Sequence, residues 1–324
     1  MSKTFLTRGL IVHPEELDQL QLDLIHEAGL TQLGLHPVGG LQADKTLEAA
    51  IAAHTLPETR ALHAQAKARG LDVCYEAHAL SWLMPRSLFS RHPEWFRMND
   101  KGERTPDVNL CPSCQEALDY LSERTALLAR LLDTGCHRYF YWLDDVSGIS
   151  ACCCPECSKL SASDQQMRVV NAMVKGIRSV DPEGELCYLA YLDALEAPTR
   201  VEPETGVFLE YAPFHRDFTR PLNDADCAKN VSETRSLRNL LSCFGAKGAR
   251  VLDYWMDNSL FSNWTKPPKP LVFHAEVMKR DLDFYAELGF EDVTSFGCYL
   301  GADYRALYGI PPIVQYGRIL ARKE

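Results

Sequence analysis

Six acidic residues stand at or just beyond the ends of apolar runs in this chain: Glu76, Asp144, Asp145, Glu210, Asp253 and Asp257. A pair of carboxyl groups can break a glycosidic bond when one protonates the leaving oxygen and the other stabilises or attacks the anomeric carbon. Their separation predicts the outcome, about 5 to 5.5 Å for retention and roughly 6.5 to 9.5 Å for inversion. A lone acidic residue is most simply the partner of an Arg or Lys, but six at run ends point to a reacting pair among them. Successive strand residues face opposite ways, so Asp144 and Asp145 cannot share a face of a regular strand. One of them is expected to react and the other to orient it or hold the loop.

Two further constellations compete with the carboxylates. Cys152, Cys154 and Cys157 form C-x-C-x-x-C, the spacing of three corners of a tetrahedral zinc site, with Cys111, Cys114 or a histidine as the fourth ligand. Such a site is structural, because zinc bound mainly by thiolates without an open position has nowhere to activate water; the alternative is a cluster of reduced thiols packed under a loop. His13 and His36 end the first two apolar runs of the chain, and His78 lies two residues past Glu76 at the end of the third. With Glu76, Asp145 or Glu210 they suit a catalytic Zn²⁺ or Mn²⁺ in a barrel lyase or isomerase. The chain contains no G-x-G-x-x-G, P-loop or nucleophile elbow to suggest nucleotide or serine-hydrolase chemistry.

The elements that must position these groups follow from eight apolar runs, at 9–13, 32–36, 71–76, 139–145, 187–193, 207–211, 251–255 and 293–299. Continuous apolar runs suit parallel strands buried on both faces, and the intervals between them supply crossovers. Leu17, Leu20 and Leu24 after the first run share a helical face that opens at Pro14 and stops at Gly29. Leu118, Leu121, Leu128, Leu131 and Leu132 form a stripe ending at Gly135. Asp164 is a candidate cap for Met167, Val170, Val174 and Ile177, and Met278, Leu282 and Tyr285 precede Gly289. The second and sixth intervals are less regular, and the fifth, 194–206, has no clear helix. The pattern predicts a (β/α)8 TIM barrel over 1–324 as one domain, with catalytic groups at the C-terminal ends of its strands.

Composition narrows the partners. At 324 residues the chain fits one barrel with insertions, and 46% hydrophobic residues supply its core. A net charge of −10 disfavours nucleic acid and anionic membranes, leaving a neutral or cationic small molecule. No long apolar run follows Met1-Ser-Lys-Thr-Phe and none in the chain could span a bilayer, which predicts a cytoplasmic protein whose 12 cysteines are thiols or metal ligands. The oligomeric state is left open.

The longest insertion, about 79–114, follows the third run and belongs on the catalytic face; a Cys-rich loop, 146–163, follows the fourth. The insertion carries Trp82, Phe89, Trp95 and Phe96 among Arg86, Arg91, His92, Arg97 and Arg104. Rings beside hydrogen-bonding groups suit the C–H faces and hydroxyl edges of a sugar, and equally the small core of a long loop.

Several blocks resemble those of a bacterial domain family long labelled as of unknown function, whose members are classed as retaining endo-β-N-acetylglucosaminidases. They are Tyr75-Glu76-Ala77-His78-Ala79, 83–89, 92–98, Gly102-Glu103-Arg104 and 109–113, then Asp145, the C-x-C-x-x-C loop, 210–216 and 253–259. The resemblance spans about three quarters of the chain in order. It implies a barrel glycosidase acting on N-acetylglucosaminides, in which the substrate's 2-acetamido group is the nucleophile. Carried over, Asp145 with Asp144 handles the acetamide and Glu210 is the acid, an assignment that can be reversed; no cofactor is required for catalysis.

Three functions are therefore carried forward. The first is a glycoside hydrolase centred on Asp144, Asp145 and Glu210. Its substrate contacts are expected from Glu76, His78, Arg86, Tyr211, Arg216, Tyr254, Trp255 and Asp257. The second is the metal-dependent lyase or isomerase, and the third a glycan-binding barrel without catalysis.

Overall fold

The computed structural model describes residues 4–322, so the first residues of the expected leaderless start lie outside it. Eight parallel strands close into a barrel in chain order. They are β1 (Thr7–Val12), β2 (Gln32–Leu35), β3 (Asp72–His78), β4 (Arg138–Trp142), β5 (Glu185–Ala190), β6 (Val207–Tyr211), β7 (Arg250–Asp253) and β8 (Asp292–Phe296). Closure comes from β8 pairing with β1 in the register Thr7↔Asp292 through Ile11↔Phe296. Most strands stop short of the apolar runs that predicted them. As a result Asp144, Asp145, Tyr191, Tyr254 and Tyr299 belong to the loops beyond the strand ends.

Alternation along the strands sorts side chains into two cores. Ile11, Cys74, Phe140, Trp142, Cys187, Leu189, Phe208, Leu252 and Tyr254 fill the barrel interior. Their neighbours Leu10, Tyr75, Tyr141, Tyr188, Leu209, Tyr211 and Val251 pack outward against the helices. Small residues make room inside: a Cβ added to Gly34 would overlap Glu76 Oε1.

The helices differ from the sequence reading mainly at their starts. Pro14 begins a single 3₁₀ turn, and the first α-helix, Gln19–Glu27, begins at Asp18, whose side chain accepts from Gln21 N–H. Leu20 consequently faces solvent. The helix Ala162–Arg178 is capped by Ser161 in a reciprocal capping box, with Asp164 as its third residue rather than its cap. The stripe of Leu121 and Leu128 lies buried on Gln115–Leu131, and Met278, Leu282 and Tyr285 lie buried on Ala275–Glu287. The irregular second and sixth intervals each hold two helices, Ala43–His54 with Pro57–Ala68 and Ala228–Thr234 with Leu237–Phe244, while the fifth holds only a 3₁₀ turn at Leu192–Ala194. No helix among the described residues is long and apolar enough to cross a membrane.

Candidate active site

A cavity of about 480 Å³ opens at the C-terminal ends of the strands. Its polar lining is His13, His36, His78, Asp145, Tyr191, Asp257, Ser259 and Tyr299, and its rings include Trp142, Phe214, Tyr254, Trp264 and Phe296. No Lys or Arg lines it among the described residues.

Three histidines form an arc along one wall. His13 Nδ1 is 2.7 Å from the carbonyl oxygen of His36, His36 Nδ1 is 2.7 Å from that of Glu76, and His78 Nδ1 is 2.6 Å from that of Leu143. Each histidine at the end of one strand thus reaches the next strand or the loop beyond it. A carbonyl oxygen only accepts, so Nδ1 carries the proton in all three rings and donates it. In the neutral ring this leaves Nε2 as an acceptor, and no group among the described residues bonds it. Burial, with His13 and His78 close by, holds the pKa of His36 well below the ordinary histidine range, so this ring is neutral.

The arc does not gather into the metal centre that its residue types suggested. Among the described residues the one set of three or more ligand-type atoms within 4.8 Å of one another consists of Cys111, Cys152, Cys154 and Cys157. The fourth thiol is therefore Cys111; Cys114 packs beside the group as a half-exposed neighbour.

Two carboxylates reach the cavity. Asp145 is exposed at its rim and accepts from Tyr191 Oη at 3.1 Å, while its Oδ2 lies 3.8 Å from the position of a Cβ on Gly39. Asp257 is 5% exposed and its Oδ1 accepts from Ser259 Oγ at 2.5 Å and from the backbone N–H groups of Ser259 and Leu260, capping the short helix Asn258–Phe261. None of these bonds uses Oδ2. Burial raises the Asp257 carboxyl above its ordinary pKa despite those donors.

Glu210 corrects the sequence reading. It is fully buried below the cavity, where Oε2 accepts from Trp142 Nε1 at 2.8 Å and Oε1 is 2.8 Å from Arg250 Nη2. Arg250 also pairs with Glu76, donates to Gln32 Oε1 at 2.8 Å and stacks on Phe140 at 3.8 Å. This is a sealed ion cluster in the barrel interior. Burial and the neighbouring Glu210 raise the Glu76 pKa to about 7 against the pull of Arg250. Neither glutamate lines the cavity, so the acid expected at Glu210 and the contact expected at Glu76 lie buried beneath it rather than on its surface.

Other expected contacts are placed elsewhere. Asp144 turns away from Asp145, pairs with Arg86 and accepts from Asn109 N–H at 2.6 Å, so these two residues clamp the insertion to the β4 loop. Tyr211 is buried on the outward face and donates to the Glu233 carbonyl at 3.1 Å. Arg216 bridges Asp253 and Asp281 at 2.8 and 2.6 Å, and Trp255 donates to Asp281 at 2.8 Å, all behind the barrel wall. Of the expected contacts His78, Tyr254 and Asp257 do line the cavity, as does Asp145. Tyr191 and Phe296 were not singled out from the sequence. Both stand in phase with inward positions, Tyr191 two beyond inward Leu189 and Phe296 three beyond outward Val293, and that spacing is the signal that finds them.

Residues 49–304 match a family described as "Domain of unknown function (DUF4838)". The chain belongs to this family. It matches none of the curated proteins. Among solved structures it is similar to a β-galactosidase from Rahnella sp. R3, with TM-score 0.56 and 13% identity over 99% of this chain and 56% of that one. A β-galactosidase from the psychrophilic Marinomonas ef1 gives 0.55 and 12% over 98% and 59%. A GH20 catalytic module of the pneumococcal exo-β-D-N-acetylglucosaminidase StrH gives 0.51 and 11% over 98% and 84%. The chain spans little more than half of either β-galactosidase. At these identities the likeness establishes the TIM-barrel fold that DUF4838 adopts here.

Proposed function

We propose that this chain is a glycoside hydrolase in which Asp145 and Asp257 are the reacting carboxyls. The observation that carries the reading is their presence in one cavity, under different environments, among rings and neutral acceptors. Burial favours the protonated form of Asp257, the form that can give a proton away, while Asp145 stands exposed at the rim beside Tyr191. Asp257 is accordingly the acid and Asp145 the stabilising group. The absence of Lys and Arg from the described lining supports an uncharged sugar, with its C–H faces on Trp142 and Tyr254 and its hydroxyls donating to histidine Nε2.

The finer reading is an endo-β-N-acetylglucosaminidase acting on glycans with substrate assistance, supported by the sequence blocks and by the Asp145–Tyr191 pair. Asp257 protonates the leaving glycosidic oxygen as the acetamide oxygen attacks C1, and Asp145 takes up the positive charge that develops at the amide N–H. Water then opens the cyclic intermediate at C1, giving its proton back to Asp257. A cytoplasmic location belongs to the same reading, supported by twelve cysteines that are all free.

The test is hydrolysis of a panel of aryl N-acetylhexosaminides, aryl hexosides and N-glycans by the wild type and Asp145→Asn. Turnover that falls by about 10²-fold or more in the variant is expected. No turnover on any member of the panel would show a binding barrel instead, and equal turnover in both proteins would remove Asp145 from the chemistry.

A further inference from the structure

Four cysteines that the proposed chemistry does not use meet where the insertion joins the β4 loop. Cys111 comes from the end of the insertion, and Cys152, Cys154 and Cys157 from the loop after β4. All four are buried, with their sulfurs within 4.8 Å of one another. Zinc held by four thiolates at about 2.3 Å puts the sulfurs at the corners of a tetrahedron with edges of about 3.8 Å. The Cys111–Cys154 and Cys111–Cys157 separations are 3.7 and 3.9 Å. A disulfide, at about 2.05 Å between sulfurs, does not fit them.

The surroundings suit thiolates. Met98 N–H points at Cys152 Sγ from 3.3 Å and Arg104 Nη1 from 3.9 Å, and Ser113 Oγ lies 3.2 Å from Cys111 Sγ and 3.4 Å from Cys154 Sγ. Donors and a cation placed this way offset the negative charge of a tetrathiolate centre. Gln165 pins the loop independently of any ion, accepting from Cys152 N–H at 2.8 Å and donating to the carbonyls of Cys152 and Cys157 at 3.2 and 3.0 Å.

We propose that Cys111, Cys152, Cys154 and Cys157 bind one Zn²⁺ that fastens the insertion to the β4 loop and thereby positions Asp145. Binding releases one proton from each thiol and forms four Zn–S bonds, with no change of oxidation state. With four sulfurs the metal has no open position, so it acts by bracing. The brace runs from Cys111 to Asn109, two residues earlier and held in the left-handed region at φ 49°. Asn109 donates Nδ2–H to Ser150 O at 2.9 Å and backbone N–H to Asp144 at 2.6 Å, while its side-chain oxygen accepts from Asp144 N–H at 3.2 Å. Asp144 is bonded directly to Asp145 in the chain.

Metal analysis tests the site without reference to hydrolysis. The purified chain is expected to carry about one zinc, and replacement by Co²⁺ to give a thiolate-to-cobalt charge-transfer band. Cys111→Ser is expected to lower bound zinc by about tenfold or more, and Cys114→Ser to leave it unchanged. Because Cys111→Ser can also misfold, the wild type is read separately: a mercurial should release its zinc in step with thiol loss. Hydrogen exchange after that release should quicken in 98–114 and 146–160 while β1 and β8 keep their protection. Metal-free protein without a cobalt band, or equal loss in the two serine variants, overturns the site; unchanged exchange overturns the brace.

Discussion

Trp142 donates its indole N–H to Glu210 at 2.8 Å, and the same ring lines the cavity above. The indole thus forms a floor with substrate chemistry on one side and the Arg250 cluster on the other. Removing a partner from a buried pair costs about 3 to 5 kcal/mol, because an unpaired charge stays behind. Arg250→Met strands both Glu76 and Glu210, so denaturant unfolding should show a loss of that size. Glu210→Gln leaves Arg250 paired with Glu76 and keeps an acceptor for Trp142, so its loss should be clearly smaller and its turnover per folded molecule close to wild type. A Glu210→Gln protein that folds but is inactive would return Glu210 to the chemistry.

The Arg250 cluster also predicts a pH dependence. Glu76 holds its proton to about pH 7 in the fold, against a value of 4.5 when unperturbed, chiefly through burial. A raised carboxyl pKa gives stability that is complete below the unfolded value and fades as pH rises through the folded one. Glu76→Gln mimics the protonated state, so its melting temperature relative to wild type should rise between about pH 5 and pH 8. His63, whose pKa burial lowers to about 4, acts in the opposite direction but is present in both proteins and cancels. A difference that stays flat or falls with pH contradicts the assignment.

The barrel was legible because eight apolar runs and their crossovers carry its periodicity locally. His78 and Tyr254 were legible as cavity-lining positions because each stands in phase with an inward residue, Cys74 or Leu252. Asp145 and Asp257 lie in loops beyond the strands and were legible only as acidic residues near run ends. Tyr211 and Trp255 were misplaced for a reason the sequence contains: each adjoins an inward residue, Glu210 or Tyr254, and adjacent strand residues part company. Glu210 is a different failure. It does point inward, but depth decides its role, and depth depends on Trp142 above it and on Arg250, 40 residues further along the chain. No local pattern reports that pairing. The choice of Cys111 over Cys114 likewise depends on how the insertion folds back.

Asp257 allows fold and chemistry to be separated in one residue. Asn caps helices about as well as Asp, so Asp257→Asn should keep the cap of Asn258–Phe261 and melt within a few degrees of wild type. Asp257→Ala should lose about 1 kcal/mol with the cap. Both should lose about 10² to 10⁴ in kcat on an aryl glycoside with a poor leaving group, and recover much of it on a dinitrophenyl glycoside that needs no protonation. If Asp145→Asn shows that rescue and Asp257→Asn does not, the two roles are exchanged.

Histidine Nε2 atoms acting as hydroxyl acceptors predict a binding defect rather than a chemical one. His78→Leu removes the acceptor and the bond to Leu143 O, whereas His78→Gln can place an amide N–H and an amide oxygen in the same two positions. A neutral hydrogen bond is worth about 0.5 to 1.5 kcal/mol, so His78→Leu should raise KM by about 2- to 10-fold with a lesser change in kcat. His78→Gln should lie between. Gly39→Ala approaches the same ring from outside, since its Cβ would stand 3.0 Å from His78 Cδ2 and must push the imidazole. It should raise KM in the same direction while leaving the bond to Leu143 O intact. If a substrate lacking one hydroxyl is turned over equally by wild type and His78→Leu, while the parent sugar distinguishes them, that hydroxyl is the group His78 accepts from. Equal KM for the parent sugar in all four proteins would exclude the arc from recognition.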